Sequence, residues 1–265
     1  MNKLPKRIVV VGLGLIGGSI VMGLKKRLNG DVEIIGVTKN EEIPLNSDLI
    51  IIATPITEII KVLNKLDKIL VKKTLVIDVG STKKLICDHA ANLKNKNLIF
   101  VGTHPMGGRE QSGLSNADPN LFVNKTWVVS RKSLLINRLI ELLGGKPVII
   151  SPDKHDKLVA FASHLSLITS SLLLTCVNRQ KDRKTILQIA STGFRDTTRL
   201  ASFSPKIKAE IVSTNKNNLL NVLSDLKNEM QIIKSRIEKE EWRLIEKYFE
   251  EGKQTRDNWL AHYFS

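Results

Sequence analysis

Arg7-Ile8-Val9-Val10-Val11 runs directly into Gly12-Leu13-Gly14-Leu15-Ile16-Gly17-Gly18-Ser19, and the reading of this stretch decides the fold. A short apolar run enters a glycine turn and continues with helical spacing. Gly12 permits a tight turn, Gly14 lets backbone approach a pyrophosphate at the helix N-terminus, and Gly17 lets the helix pack closely on the strand. Glycines at these intervals mean little alone. Here they have the strand before and the helix after that a dinucleotide-binding turn requires.

Working outward, strand candidates fall at residues 7–11, 33–37, 48–53, 75–79, 98–101, 126–130 and 147–150. Helical patterns at 16–28, 57–66, 82–93 and 133–143 lie between most of them. Near-continuous apolar strands alternating with helices predict a largely parallel, doubly wound sheet covered on both faces. Residues 38–47, which include Pro44, are too few for a crossover helix and predict a loop.

Strand signals stop at residue 151. Ser151-Pro152-Asp153 is a helix start, with proline in the first turn and an acid that suits the dipole. The pattern that follows, to Asn178, is apolar around most of its circumference, which predicts burial in a core or in a subunit interface. Further helical patterns cover 185–190, 205–213 and 219–248. The fold class is therefore an α/β Rossmann-like N-terminal domain, residues 1–151, followed by an all-α domain, residues 152–265.

Across 265 residues, 42% are hydrophobic and 25% charged, ordinary values for a globular protein. The apolar stretches read as too interrupted to span a bilayer, and no signal peptide precedes the first strand, so the expected location is cytoplasmic. Cys87 and Cys176 suggest buried thiols and no disulfide framework. The net charge of +15 comes mostly from scattered lysine, and only 5% of residues are aromatic, so neither nucleic acid nor a membrane is an expected partner. A positive field still favours anionic substrates and a phosphorylated cofactor.

The candidate cofactor residues are Gly12, Gly14, Leu15, Ile16 and Gly17 in the turn, Thr38 and Lys39 after the second strand, and Thr54 and Pro55 after the third. A carboxylate at the end of the second strand would hold the ribose of NAD. Gly36-Val37-Thr38-Lys39 offers a hydroxyl and a cation instead, which suit the 2′-phosphate of NADP, although Glu41 and Glu42 lie close by.

Three further segments carry chemistry. Asp78-Val79-Gly80-Ser81-Thr82-Lys83 ends the fourth strand at the edge where such sheets bind ligands, although Ser81 or Thr82 equally suits capping the next helix. Thr103-His104-Pro105-Met106-Gly107-Gly108 ends the fifth strand at the same edge, and core packing explains its histidine poorly. Ser191-Thr192-Gly193-Phe194-Arg195-Asp196-Thr197-Thr198-Arg199 interrupts the helical pattern with two arginines, side chains that grip carboxylates bidentately.

Together these segments, with Asn120-Leu121-Phe122-Val123-Asn124, His155-Asp156 and Ser163-His164-Leu165, resemble the prephenate/arogenate dehydrogenase family of tyrosine biosynthesis over nearly the whole chain. The chain is most similar to the short cyanobacterial type that prefers arogenate and NADP. The resemblance implies a cyclohexadiene substrate that loses hydride to the nicotinamide, a hydroxyl proton to the enzyme, and carbon dioxide as the ring becomes aromatic. It implies His104 as general base, a role suited to a neutral imidazole, and Ser81 as the group orienting the same hydroxyl. Arg199 takes the place of a carboxylate-binding arginine. Arg195, Gly193 and His164 fall at other substrate positions, and Glu110 stands where an acid accompanies acceptance of arogenate, whose ammonium it would pair. A homodimer through the helical domain is also implied, and no metal.

Nine steps of about 100° each separate His155 from His164 and put them on opposite helix faces, so His155 reads as structural. The family commonly has proline where this chain has Ser166, which predicts a locally straighter helix. Prephenate is the alternative substrate, with NAD or NADP. Two rival classes are a hydroxyacid dehydrogenase, for which Lys157 lies too early in the long helix, and a non-enzymatic dinucleotide- or nucleic-acid-binding protein, which would leave His104 and Arg199 without a role.

Overall fold

A computed structural model describes residues 4–28, 30, 32–38 and 41–263. Five parallel strands form the first sheet, in the order β2-β1-β3-β4-β5: β1 (Arg7–Val11), β2 (Glu33–Val37), β3 (Leu49–Ile52), β4 (Thr74–Asp78) and β5 (Leu98–Val101). Val11 is in register with Val37 on one side and Ile52 on the other, so three strand ends meet at one edge. The strand order reverses there, and doubly wound sheets bind ligands at such a point.

Burial on both faces explains the unbroken apolar strands. Ile8, Val10 and Ile51 pack with Ile20 and Leu24 of α1 (Leu15–Arg27). Their neighbours Val9, Val11, Ile50 and Ile52 point the other way, onto Ile59 and Leu63 of α2 (Ile56–Ile69). Alternate residues serve opposite faces because the side-chain period of a strand is two. α3 (Lys84–Ala91) links β4 to β5. Among the described residues of 38–48 there is neither helix nor strand, as the short gap predicts.

The last strands depart from expectation. β6 (Thr103–Pro105), β7 (Thr126–Val129) and β8 (Lys146–Ile149) form a separate three-stranded sheet, with α4 (Leu134–Leu142) between β7 and β8. β6 runs antiparallel to β7, and His104 opposes Val128 on this strand, where the sequence suggests a loop. The chain reverses at Gly102, whose carbonyl accepts the Ser130 amide proton at 2.8 Å. A side chain there would lie 2.5 Å from the Cys87 sulfur, so this reversal requires glycine.

α5 (Pro152–Val159) begins as its sequence suggests, with Ser151 at the N-cap and Asp153 in the first turn. A π-turn, Ala160–His164, then joins it to α6 (Leu165–Asn178), in place of the straighter helix expected from Ser166. Pro152–Asn178 thereby runs on for 27 residues at a mean hydropathy of 1.7, enough by length and composition to cross a membrane, which corrects the expectation of interrupted stretches. His155, Asp156 and His164 along it are nonetheless buried and hydrogen-bonded within the protein.

α7 (Arg183–Ile189) and α9 (Pro205–Thr214) follow the predicted pattern. The segment read as a break contains a short helix, α8 (Thr192–Thr198), and a 3₁₀ turn at Arg199–Ser202. The last predicted helix is two: α10 (Lys216–Glu238) and α11 (Trp242–Tyr263), parted by Glu240 in the left-handed region at φ 54°.

The chain divides into two compact units, Met1–Asn218 and Leu219–Ser265. The first holds both sheets and the helices through α9. The second is an antiparallel helical pair in which Arg236 Nη1 donates to the Leu244 carbonyl at 3.2 Å and the Tyr248 hydroxyl to Glu229 at 3.1 Å.

Candidate active site

The glycine turn has the shape that a dinucleotide needs. Gly12 sits at φ 101°, and its amide donates to the Val37 carbonyl at 2.8 Å, tying the turn to β2. A Cβ on Gly17 would fall 1.9 Å from the Gly12 carbonyl oxygen, so the start of α1 can approach the turn this closely only with glycine there. Gly14 has open space where a side chain would go, and as N-cap of α1 it leaves the first-turn amides without a side-chain acceptor. Thr54 Oγ1 is buried and lacks a hydrogen-bond partner among the described residues. An open cradle at a helix N-terminus beside an orphaned hydroxyl fits a bound pyrophosphate.

One cleft of about 290 Å³ runs from this cradle to the histidine. Gly14, Leu15, Ile16, Thr54 and Pro55 line its cofactor end, and Ser81, His104 and Glu110 line the other. Thr38 lies outside it, at the end of β2, and Lys39 lies outside the described residues. The Thr38 amide and hydroxyl both bond the Glu41 carboxylate and hold it below the usual carboxylate range.

The β4 end is fixed by a buried charge pair. Asp78 accepts the Gly80 amide at 2.9 Å and the Thr103 amide at 3.1 Å, and it pairs with the Lys83 ammonium. One carboxylate thus ties the Ser81 turn to β6, the strand that carries His104. Ser81 and Thr82 do not cap α3. The Asp156 carboxylate does so from another helix, accepting the Lys83 amide at 2.7 Å and the Lys84 amide at 2.9 Å. Thr82 instead bonds the Thr214 hydroxyl at 2.9 Å.

His155 is the residue that sequence reasoning missed. Its Nε2 meets His104 Nδ1 at 2.9 Å, and its Nδ1 meets Asp156 Oδ1 at 2.7 Å. Burial, then His155, Lys83 and His164 in that order, push the His104 imidazole well below its usual range, so it is neutral at neutral pH. His155 and His164 are not on opposite faces as regular helix geometry implies, because the π-turn between them shifts the phase. Asn215 joins the two regions: its Nδ2 donates to the Asp156 carbonyl at 2.8 Å and to His164 Nδ1 at 3.1 Å. His164 lines a neighbouring apolar groove between α6 and α9, not the His104 cleft, and burial lowers its pKa to about 4.

Arg199 forms an ion pair with Glu110, which brings these two candidates together beside the cleft. Arg195 is exposed and pairs with its neighbour Asp196 at 3.4 Å, and Gly193 has no contact close to its Cα. The motif at 120–124 is explained by packing: Arg27 of α1 donates to the Pro119 carbonyl at 2.7 Å and to Asn120 Oδ1 at 2.9 Å. The expectation of two buried thiols holds for neither cysteine. Cys87 is half-buried, its thiol pushed up to about 11 chiefly by burial, and Cys176 is exposed.

Two family models match the chain: the prephenate dehydrogenase nucleotide-binding domain over residues 24–134, and the prephenate dehydrogenase dimerization domain over 151–251. A prephenate dehydrogenase of Lactococcus lactis is 31% identical over 97% of this chain and 78% of its own. The arogenate dehydrogenase structure of Synechocystis is 29% identical, with a TM-score of 0.80 over 96% of this chain and 99% of that one. The prephenate dehydrogenase of Aquifex aeolicus, solved with hydroxyphenyl propionate and NAD+, shares the fold at a TM-score of 0.87 and 23% identity, over 97% of this chain and 99% of that one.

Proposed function

The chain belongs to the prephenate dehydrogenase family, oxidoreductases of tyrosine biosynthesis, and we propose that within it this enzyme oxidatively decarboxylates L-arogenate with NADP. The observation that carries the substrate choice is the Glu110–Arg199 pair at the cleft. A carboxylate and a guanidinium side by side complement an ammonium and a carboxylate side by side, the pattern of an α-amino acid. Prephenate, with a keto group in place of the ammonium, would use the arginine alone.

The chemistry then follows from the cleft. His104 takes the proton of the ring hydroxyl as a carbonyl develops, and Ser81 holds that hydroxyl. What a bound nicotinamide would supply is an acceptor for the hydride released from the same carbon. Gly12, Gly14, Leu15, Ile16 and Gly17, with Thr54 and Pro55, would hold the dinucleotide. Arg199 anchors a substrate carboxylate, and Arg195, Gly193 and His164 serve the same side of the substrate. Departure of carbon dioxide needs no further acid or base, because aromatisation of the ring drives it.

NADP is supported by Thr38 and Lys39 at the end of β2 and by the net charge of +15, which favours the ligand with an extra phosphate. NAD is a second reading favoured by one observation, the Glu41 carboxylate folded onto Thr38, where it could accept from a ribose hydroxyl. The enzyme is read as a cytoplasmic homodimer. Its helical domain begins at Pro152, directly after the last strand, and the exposure of Phe161 and Leu172 on that long apolar helix supports a partner surface.

The test is absorbance of reduced nicotinamide with purified protein, offering arogenate and prephenate in turn, each with NADP and with NAD. Turnover confined to arogenate with NADP is the expected result. Turnover with prephenate at equal efficiency overturns the substrate reading, preference for NAD overturns the cofactor reading, and silence in all four overturns both.

A further inference from the structure

We propose that His155 and Asp156 are positioning residues that fix the proton of His104 on Nδ1, leaving Nε2 as the basic nitrogen toward the cleft. The inference rests on the reading of His104 as the base.

The argument is one of donors and acceptors. Asp156 receives three hydrogen bonds, from the Lys83 amide, the Lys84 amide and His155 Nδ1, at 2.7, 2.9 and 2.7 Å. The two amides can only donate, so the carboxylate acts as acceptor throughout and is ionised. It also stands at the start of α3, where the helix dipole favours a negative charge. His155 Nδ1 must therefore carry a proton. A neutral His155 then has only a lone pair on Nε2, and that atom meets His104 Nδ1 at 2.9 Å. The single proton between the rings consequently belongs to His104 Nδ1. His104 lines the cleft, and among the described residues its Nε2 has no hydrogen-bond partner. In a neutral imidazole the hydrogen bond made by one nitrogen decides the state of the other.

The arrangement has a purpose in the reaction. Without a partner on Nδ1, His104 could carry its proton on Nε2 and present a donor to the substrate hydroxyl, a form unable to accept a proton. When Nε2 does take the hydroxyl proton, the Nδ1 proton still points into the His155 lone pair, and the Asp156 charge behind it steadies the imidazolium. No proton need travel beyond His104. The near-perpendicular rings, with centroids 5.1 Å apart and planes at 74°, place an edge nitrogen of each toward the other. His155 and Asp156 are each 1% exposed, so water cannot substitute for either.

The test combines a spectrum with kinetics. In histidine labelled with nitrogen-15, long-range proton–nitrogen correlation at neutral pH distinguishes a protonated ring nitrogen from one with a lone pair, and His104→Asn assigns the signals. Wild type is expected to show His104 protonated on Nδ1. His155→Leu is expected to lose that form and to lower kcat on the order of a hundredfold with little change in either KM. His155→Gln, whose amide oxygen can still accept from His104, should keep the Nδ1 form and recover most of the rate, and it serves if the leucine variant does not fold. His104 protonated on Nε2 in wild type, or a tautomer unmoved by both substitutions, overturns the proposal. An Nδ1 form in a protein for which His104→Asn leaves turnover intact would keep the hydrogen-bond assignment, overturn the catalytic use of it and refute His104 as base.

Discussion

Lys83 and Asp78 form an ion pair from which water is wholly excluded, with both side chains at 0% exposure. Breaking such a pair leaves a buried charge unmatched. Lys83→Met should destabilise the fold by about 3–5 kcal/mol, read from urea unfolding. Adding Asp78→Leu should not restore the loss, because Asp78 also accepts the Gly80 and Thr103 amides, and these would become orphans. Recovery in the double variant would show that the pair carries no structural duty beyond its own charges.

His104→Asn should lower kcat at least about a hundredfold while the KM for arogenate changes little. A rate equal to wild type would remove His104 from the reaction.

Glu110→Gln should raise the KM for arogenate about tenfold, the worth of one charge-assisted hydrogen bond, and leave any prephenate turnover unchanged. Equal effects on the two substrates would mean that the carboxylate only holds Arg199 in place.

Glu41→Gln should shift the ratio of kcat/KM toward NADP by about tenfold, because an acceptor for a ribose hydroxyl and a repeller of a 2′-phosphate are removed together. An unchanged ratio would take Glu41 out of cofactor choice.

The burial of His164 makes a pH prediction with a definite sign. Its pKa falls from 6.5 to about 4 on folding, so between these values the unfolded chain binds the extra proton. Stability is therefore full above pH 6.5 and is lost as pH falls toward 4, by about 3 kcal/mol for this group. His164→Gln should make the dependence of unfolding free energy on pH shallower in that window, by up to one proton. An unchanged slope would mean that His164 titrates normally in the folded protein.

Much of this was legible in the sequence for identifiable reasons. Strands buried on both faces must be apolar throughout, so Leu49-Ile50-Ile51-Ile52 reads as sheet without any tertiary information. The glycine turn is legible because the close approach of Gly17 to Gly12 admits no other residue. β6 is not legible, since three residues are too few to show a period, and its partner β7 lies beyond a long loop. The break between α10 and α11 is hidden because Glu240 takes a left-handed conformation that usually announces itself with glycine. The contact of His155 with His104 spans 51 positions, and no local pattern encodes it. The π-turn is equally silent: a helix apolar on all sides has no polar face from which a change of phase could be noticed.

That turn makes the chain sensitive to a kind of mutation that substitution analysis never samples. A π-turn holds one residue more than the regular helix around it. Deleting a single residue within Ala160–His164 would let α5 and α6 close into one continuous α-helix. It would also swing everything after the deletion by about 100° relative to His155 and Asp156. His164 would leave Asn215, and the face that α6 turns toward α9 would become a different one. In a surface loop a one-residue deletion is absorbed locally. At this position it re-docks half a domain, so the length of the helix is constrained as tightly as its composition.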